Sequence, residues 1–453
     1  VTGAIYVSNT EAVNEVRFEG PGAYVTTKGA KPPGEPATVQ GDLHRARITV
    51  LDGANVDPRH LNKHIDYSQL PAPIGTADHS LSMPTEMAVS SDGTKLYVAA
   101  FGSSKVGVFD TATLEDDSFD PTLQSAQYID VSGGGPGGVV LDEARDRLYV
   151  LTRFDNSVSV VDLSTGNETA HVALFNPEPP EVLSGRQFLY DAVATSSNGE
   201  ASCGGCHVFG DNDQLAWDLG NPDDEATSSP MTIKLAVGAG GNINGTGVVD
   251  EFSALKGPMT TQSLRGMDNH GPMHWRGDRD GALDETTSQP NGGAFDEVRA
   301  FNPGLVGRAS MISNTDMQSF ADFALDLVMP PNPVRNIDNS LTPAQANGRN
   351  FYLGNNFTSG GPNPGVTGVG SSNVTGRRAA GVNLNNFGFT CNGCHTLSAS
   401  QGFFGGNGDA SFENEEQSVK IAQLRNLYTK VGMFGPTIGG ATKRSTPTIR
   451  GTW

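Results

Sequence analysis

The sequence predicts a multidomain protein in which an all-β repeat region is followed by two mainly α-helical modules. Three observations lead to this fold class: a 52-residue repeat in the first third of the chain, a change to helical spacing near residue 181, and a Cys-x-x-Cys-His string in each half of the remainder. The predicted boundaries are residues 1–178 for the β-repeat region, 179–338 for the first module and 339–453 for the second.

Composition limits the class of protein further. The 57 Gly and 27 Pro among 453 residues favour many turns and short elements. The mean hydropathy is -0.32, and there is no apolar run of about 18 residues, so we expect no membrane span. A net charge of -20 argues against nucleic acid or an anionic lipid surface as a partner.

The β-repeat consists of two clear units, Pro84–Asp110 and Pro136–Asp162. Each has three short apolar runs separated by Asp, Gly and Ser turns, which is typical of a meander of antiparallel strands. A degenerate unit precedes them, with apolar runs at 3–9 and 48–53 on either side of a polar insertion.

These units resemble the "YVTN" class of β-propeller blade, in which a Leu-Tyr-Val strand is followed by a Val-x-Val-x-Asp strand. The resemblance implies a propeller-like fold, but a closed propeller has at least four blades. Either further blades precede Val1, or the units form an open platform against the modules that follow. In both cases we expect a scaffold or docking surface without chemistry of its own.

All four cysteines fall in two strings, CGGCH at 203–207 and CNGCH at 391–395. Fewer than about 0.001 such strings are expected by chance in a chain of this length. A thioredoxin-like pair has no need of the adjacent His, and a four-Cys zinc site usually keeps its pairs closer together. The spacing instead suits haem: two thiols three positions apart reach the two vinyl groups, and the adjacent His points at the iron.

The strings therefore predict two covalent haems c, attached through Cys203 with Cys206 and through Cys391 with Cys394. His207 and His395 are the predicted proximal iron ligands. Attachment of this kind takes place outside the cytoplasm, so the motif also predicts an extracytoplasmic location: periplasm, cell surface or secreted.

The two halves that contain these strings are related. Both carry Gly-Arg-x-Phe ahead of the string, at 185–188 and 348–351. Both also carry Leu-Arg nine residues before a Met, at 264–273 and 424–433. In the second half, the segment 342–345 (Thr-Pro-Ala-Gln) predicts a helix start with Thr as N-cap and Pro in the first turn.

Tandem modules of this kind resemble the bacterial dihaem cytochrome c peroxidase family, which includes the MauG-type enzymes. KIAQLRNLYTKVGMFG at 420–435 is similar to the family's K-x-P-x-L-R-N stretch, and GPMHWRGDRDGALDE at 271–285 is similar to its F-W-D-G-R element. The resemblance covers residues 181–453 and implies two class I cytochrome c-type haem modules. The family's His-Asp-Gly after the Met is absent here.

The distal ligands decide whether peroxide can reach an iron, because a strong sixth ligand blocks it. Met433 is the predicted sixth ligand of the second haem, at the family's spacing. For the first haem the alternatives are His274, Met273, His270 and an open site, with His274 ranked first.

The resemblance also implies further roles. Trp275 would bridge the haems as an electron relay, and Glu297 would serve as the acid/base that a peroxidase needs, with Asp296 and Glu285 as alternatives. An interhaem calcium is implied too; the oxygen donors nearby are Asn269, Asp278 and Asp280.

Three functions are compatible with these features. The first is a peroxidase-like oxidoreductase that passes electrons from the His395/Met433 haem to the His207 haem, where hydrogen peroxide is reduced; a small redox protein or another cytochrome would be the donor. The alternative is a non-enzymatic electron-transfer cytochrome with both haems six-coordinate, in which the β-repeat serves docking or assembly. A third, a MauG-type maturation enzyme, would have a Tyr in place of the Met; Tyr428 is nearby, but Met433 has the better spacing.

Overall fold

The computed structural model describes seven parts of the chain: residues 3–15, 39–219, 227–229, 250–252, 259–267, 301–353, and the two positions Leu424 and Leu427. Most of the β-repeat region, the first Cys-x-x-Cys-His string and the start of the predicted second module fall within these residues. The second string at 391–395 lies outside them.

The first sheet has three antiparallel strands in the order β1-β2-β3. They are β1 (Ile5–Ala12), β2 (His44–Asp52) and β3 (Asn55–His60). Along β2 every second side chain is buried, beginning with His44 and Ala46 and continuing through Val50. This alternation is the expected result of a strand with one face in the core.

The second and third sheets have four antiparallel strands each, arranged in chain order. The second contains β4 (Pro84–Val89), β5 (Lys95–Ala100), β6 (Lys105–Asp110) and β7 (Ile129–Asp130). Two short helices, α1 (Thr111–Glu115) and α2 (Pro121–Gln124), connect its last two strands. The third contains β8 (Pro136–Asp142), β9 (Arg147–Thr152), β10 (Ser157–Asp162) and β11 (Glu168–Ala173).

The 52-residue offset of the sequence repeat reappears as an identical strand register. Tyr97 pairs with Val108 across β5 and β6, and the residues 52 positions later, Tyr149 and Val160, pair across β9 and β10. Each hairpin is closed by an equivalent ion pair: Lys95 Nζ lies 2.8 Å from Asp110, and Arg147 lies 2.7 Å from Asp162. The repeat therefore encodes pairing as well as hydrophobic pattern.

The three sheets pack in sequence order, with β1 against β4 and β4 against β8. One apolar cluster lies between the first and second sheets and contains Ile48, Leu96 and Phe109. A second lies between the second and third sheets and contains Val106, Leu148 and Val150. Each sheet thus buries its apolar face against its neighbour.

The chain beyond β11 contains short helices and short strand pairs. The helices are α3 (Pro180–Tyr190), α4 (Ala192–Thr195), α5 (Cys203–Cys206), α6 (Phe301–Gly304), α7 (Asn314–Leu325) and α8 (Pro343–Leu353). Strand β12 (Ala216–Trp217) pairs with β15 (Met259–Thr260), and β13 (Thr227–Ser229) pairs with β14 (Asp250–Phe252). No helix in the described part of the chain is long and apolar enough to cross a membrane.

The predicted helix start in the second half is confirmed. Helix α8 begins at Pro343, directly after Thr342. The Gln345 backbone N–H donates to Thr342 Oγ1 at 3.3 Å, and Gln345 Oε1 accepts from the Thr342 backbone N–H at 2.9 Å. This reciprocal pair is a capping box, which satisfies two N–H groups that a helix start otherwise leaves without partners.

Helices α3 and α7 pack closely because a glycine lies at their contact. A Cβ atom on Gly185 would stand only 1.8 Å from the backbone oxygen of Ser319. The next residue, Arg186, is buried, and its guanidinium donates to Arg153 O and to Glu178 Oε2, each at 2.5 Å. The first Gly-Arg-x-Phe element thus joins α3 both to α7 and to the third sheet.

The predicted fold class, β-repeats followed by two mainly α-helical haem modules, is wrong. The described residues form mainly small antiparallel sheets, and the longest helix, α7, has 12 residues. The change to helical spacing predicted near residue 181 does correspond to α3, but that helix ends at Tyr190. Its apolar face packs partly against Phe101 and Phe154 of the sheets, so it does not build a helical module of its own.

An imidazole fastens the edge strand β11. His171 Nε2 lies 2.6 Å from Asp155 Oδ2, and its Nδ1 lies 3.1 Å from Glu168 Oε1. Ser132 and Ser159 place their hydroxyls beside the same Nδ1. The hydrogen bond to Asp155, together with the charges of both carboxylates, raises the pKa of His171 above its usual value. Because both ring nitrogens face carboxylates, the protonated imidazole can donate to Asp155 and Glu168 together and so acts as a clamp on the edge strand.

We expect Gly185→Ala to lower the free energy of unfolding by about 1–3 kcal/mol, because the added methyl group collides with backbone of α7. Gly348→Ala is the matched control: it occupies the same position of the second Gly-Arg-x-Phe element, lies in α8, and has open space around its Cβ position. That change should leave stability unaltered or raise it by about 0.5–1 kcal/mol through helix propensity. Urea denaturation followed by circular dichroism measures both, and equal shifts would contradict the assigned contact.

We expect His171→Gln to destabilise the protein more at low pH than at high pH. The folded-state pKa of His171 is raised, so its contribution is complete below the unfolded pKa and is lost as pH rises through the folded pKa. For a partly exposed pair the difference is about 0.5–1 kcal/mol. Chemical denaturation of both proteins at about pH 5.5 and about pH 8.5 measures it. A penalty that is the same at both pH values would argue against the clamp.

Candidate functional site

The first Cys-x-x-Cys-His string forms a single helical turn. Helix α5 (Cys203–Cys206) begins after Ser202, and the backbone N–H of His207 donates to Cys203 O at 2.8 Å. Residues three positions apart on a helix are neighbours on one face, so the two thiols lie on the same side of the turn. Cys203 packs against an apolar cluster that contains Tyr190, whereas Cys206 packs against a separate one.

The ring of His207 is oriented by a backbone carbonyl. Its Nδ1 lies 2.8 Å from the oxygen of Gln262. A carbonyl oxygen can only accept, so Nδ1 carries the proton, and in the neutral imidazole Nε2 then carries the lone pair. Histidines that bind metals typically donate their other ring nitrogen in this way, which fixes the tautomer and the ring orientation. Gln262 belongs to the segment that precedes the Leu-Arg element of the first half.

The two glycines inside the string are required by close contacts. A Cβ on Gly204 would lie 2.5 Å from Cδ1 of Tyr190, and a Cβ on Gly205 would lie 1.8 Å from Nε2 of His44. Both rings therefore pack directly on the backbone of α5. His44 is buried on β2, so this contact fixes the attachment turn to the first sheet.

Tyr190 is the centre of a cluster of aromatic rings. Its ring centroid lies 5.1 Å from that of Phe101, 6.4 Å from those of Phe154 and Phe323, and 6.5 Å from that of Phe209. Phe101 and Phe154 follow β5 and β9, the corresponding strands of the two repeat units. Rings at these distances attract one another beyond simple burial. The cluster joins two sheets, α3 and α7 to the attachment turn.

The backbone after His207 turns sharply. Phe209 has φ 49° and ψ 38°, the left-handed region that a bulky residue rarely adopts, and its side chain is 53% exposed. Arg265 donates to the Phe209 carbonyl at 2.9 Å and lies 3.7 Å from Asp211. Such conformations cost about 1–3 kcal/mol and are concentrated at functional sites. Here the turn ends α5 and returns the chain past His207.

The two thiols of the first string have raised pKa values. Burial raises the pKa of Cys203 to about 11 and that of Cys206 well above its usual value. Reactive disulfide-exchange cysteines have lowered pKa values. No group of three or more His, Cys, Asp or Glu side chains within the described residues could hold a metal ion. The raised pKa values of the two thiols disfavour a thioredoxin-like role for this string.

A buried acid that the sequence did not single out lies just before the string. Glu200 is fully buried and accepts hydrogen bonds from Ala46 N–H at 2.7 Å, Asn62 Nδ2 at 2.6 Å and the hydroxyl of Tyr67. Its sequence context, Asn-Gly-Glu-Ala-Ser, suggests a polar turn. The donors come from strands and loops more than 130 positions away, so no local pattern could have revealed the burial.

Most of the other predicted site residues lie outside the described residues and stay predictions. They are Cys391, Cys394, His395, Met433, His274, Trp275 and Glu297, together with the alternatives Met273, His270, Asp296, Glu285 and Tyr428 and the calcium donors Asn269, Asp278 and Asp280. Of the predicted haem-attachment and iron-ligand residues, the structure brings together Cys203, Cys206 and His207.

Comparisons with known proteins give partial likenesses only. No protein-family model matches the chain, and no curated protein matches it. Two solved structures of Kuenenia stuttgartiensis hydrazine synthase are similar to parts of this chain. One is 25% identical over 39% of this chain and 46% of that chain, with a TM-score of 0.26. The other is 17% identical over 35% of this chain and 42% of that chain, with a TM-score of 0.23. Citrobacter koseri AztD is similar at 17% identity over 31% of each chain, with a TM-score of 0.19. The chain spans less than half of each of these proteins, and they place it in no family.

We expect Gly205→Ala to lower the free energy of unfolding by about 1–3 kcal/mol, because the methyl group takes the place of the His44 ring. In a His44→Ala background the same change should cost at least about 1 kcal/mol less, which is a coupling energy typical of residues in contact. Gly204→Ala is the matched control, since its partner is Tyr190 and His44→Ala should not rescue it. A double-mutant cycle by chemical denaturation measures the coupling, and additivity of the Gly205 and His44 changes would exclude the contact.

Proposed function

We propose that this chain is an extracytoplasmic c-type cytochrome with two covalent haems, one on Cys203, Cys206 and His207 and one on the string at 391–395. The observation that carries the proposal is the geometry of the first string. Two thiols share one face of a single helical turn, and the following imidazole has its Nδ1 held by Gln262 O. In the neutral imidazole Nε2 then carries the lone pair, which is the tautomer that a proximal ligand requires.

The residues around the turn fit a haem. Leu264, Met267, Leu325 and Leu327 are partly buried and pack, as Cys203 does, against the apolar cluster that contains Tyr190. Such a wall can cover a porphyrin face and exclude water from it. When bound, haem supplies one-electron chemistry at iron, and the protein contributes the axial ligand, hydrogen bonds to it and the local dielectric. Covalent attachment of haem outside the cytoplasm supports the proposed location.

Within this class we propose peroxide reduction as the activity, on the strength of the resemblance to the dihaem peroxidases. In that arrangement His395 and Met433 would ligate the electron-entry haem, and a small redox protein or another cytochrome would be the donor. Trp275 would carry electrons towards the His207 side. Glu297 would hold and return the proton that cleavage of the O–O bond requires. The β-sheets, which share an apolar cluster with the attachment turn, would support the first haem.

Haem content tests the class. We expect two covalent haems per chain in the protein produced with export and haem attachment, measured by denaturing haem staining and by intact mass. A variant with Cys203→Ser and Cys206→Ser should lose one haem, and the matched variant with Cys391→Ser and Cys394→Ser should lose the other. Retention of both haems in either variant would refute the assignment of that string.

Spectroscopy tests the activity. We expect the half-reduced protein to contain one high-spin haem by visible and EPR spectra, to form a new species with hydrogen peroxide and to consume it with a reduced donor. An iron that is six-coordinate with a strong ligand would not do so. If both haems stay low-spin in every state and peroxide changes neither, peroxide reduction is wrong and the electron-carrier alternative stands.

A further inference from the structure

The buried carboxylate of Glu200 lies three residues before Cys203. Besides the donors on Ala46, Asn62 and Tyr67, its Oε1 lies 3.2 Å from Nε2 of His60. Removing a carboxylate from water costs several kcal/mol unless donors replace the lost hydration. A backbone amide, a side-chain amide, a phenol and an imidazole do so here.

Glu200 is ionised in this setting. Burial by itself would raise the pKa of the carboxyl, but the hydrogen bonds from His60, Tyr67 and the Ala46 amide hold it below its usual value. The neighbouring buried acid, Asp42, is already paired with Arg45 through two hydrogen bonds of 2.9 and 2.8 Å. Arg45 thus gives these hydrogen bonds to Asp42, and the carboxylate of Glu200 keeps its negative charge among the donors named above.

The charge is also held in a fixed place relative to the attachment turn. The backbone N–H of Glu200 donates to Asn198 Oδ1 at 3.0 Å, and the Ser82 hydroxyl donates to Glu200 O at 2.7 Å. Only Ala201 and Ser202 separate Glu200 from Cys203, and both are buried. The chain cannot turn Glu200 towards water without breaking these contacts.

We propose that Glu200 is a positioning residue that holds the first attachment turn in place and lowers the reduction potential of the haem on it. This inference rests on the proposed function, because it needs a haem at Cys203, Cys206 and His207. The physical reason is electrostatic: reduction removes one positive charge from iron, so a fixed negative charge nearby stabilises the oxidised state. In a low-dielectric interior this effect is weakly screened.

A second acid near the string provides a contrast. Asp211 is closer to His207 in sequence, but it lies 3.7 Å from Arg265 and its side chain is 27% exposed. An opposite charge and solvent both reduce its field. The same loss of a negative charge should therefore act differently at the two positions.

The test is a spectroelectrochemical titration of the dihaem protein and its Glu200→Gln variant at about pH 8.5, above the titration range of model imidazoles. Gln keeps the shape of the side chain and one acceptor oxygen but removes the charge. We expect the equilibrium constant for reduction of one haem to rise about tenfold, or about 59 mV for a one-electron couple, while the other haem is unchanged. Asp211→Asn should change either constant by less than about twofold.

Tyr67→Phe separates charge from packing. It removes one neutral donor and keeps the carboxylate, so the reduction constant should stay the same or fall. If Tyr67→Phe raises it as Glu200→Gln does, loosening of the segment is responsible and the proposal is wrong. If the Glu200→Gln variant does not accumulate as folded protein, the reduction constant of Tyr67→Phe tests the proposal by itself. A rise contradicts the proposal, and an unchanged or lower constant agrees with it.

The outcomes also distinguish this inference from the function on which it rests. If the first string carries no haem by mass and staining, the proposed function and this inference both fail. If the haem is present and Glu200→Gln leaves both potentials unchanged, only the role of Glu200 is refuted. A rise confined to one haem supports both.

Discussion

The packing of two aromatic rings on bare backbone is the contact on which the arrangement of the site depends. Gly204 and Gly205 have no side chains, so Tyr190 and His44 reach the main chain of the attachment turn. One ring belongs to the helix that precedes the turn and the other to the first sheet. The turn is thereby held from two directions, with Cys203 in one apolar cluster and Cys206 in another. The two cysteines lie on one helical turn and pack against different apolar clusters.

The hydrogen bonds to Glu200, just before the turn, also hold the turn against the first sheet. Glu200 can be buried only because Tyr67, Asn62 and the Ala46 amide are brought to it by β2, β3 and the loop after β3. Opening this region would leave a carboxylate in a partly apolar environment without its donors, which is costly. The first sheet and the attachment segment therefore stabilise one another. The β-repeat region is thus in direct contact with the site.

Sequence patterns predicted the structure correctly where contacts between residues close in the chain decide it. The Thr342–Gln345 capping box could be predicted from the sequence because its partners are three residues apart. The antiparallel strands of the repeat could be predicted because pairing within a hairpin follows from the strand pattern and the position of the turn. The prediction of helical modules was wrong because the spacing of apolar residues shows which face of a helix is apolar. It does not show which part of the chain covers that face. The face of α3 is covered partly by Phe101 and Phe154 from the sheets. Likewise Gly185 and Gly348 share a motif, yet only Gly185 lies at a helix contact.

By itself the sequence determined the two Cys-x-x-Cys-His strings, the 52-residue repeat and the chemistry that the strings can support, since each depends on spacing along the chain. Only the tertiary structure decided how the first string is held. The Gln262 oxygen that orients His207 is 55 residues away, and Asn62, which donates to Glu200, is 138 residues away. Contacts across such separations depend on how the sheets pack. This packing cannot be inferred from the spacing of residues within either segment.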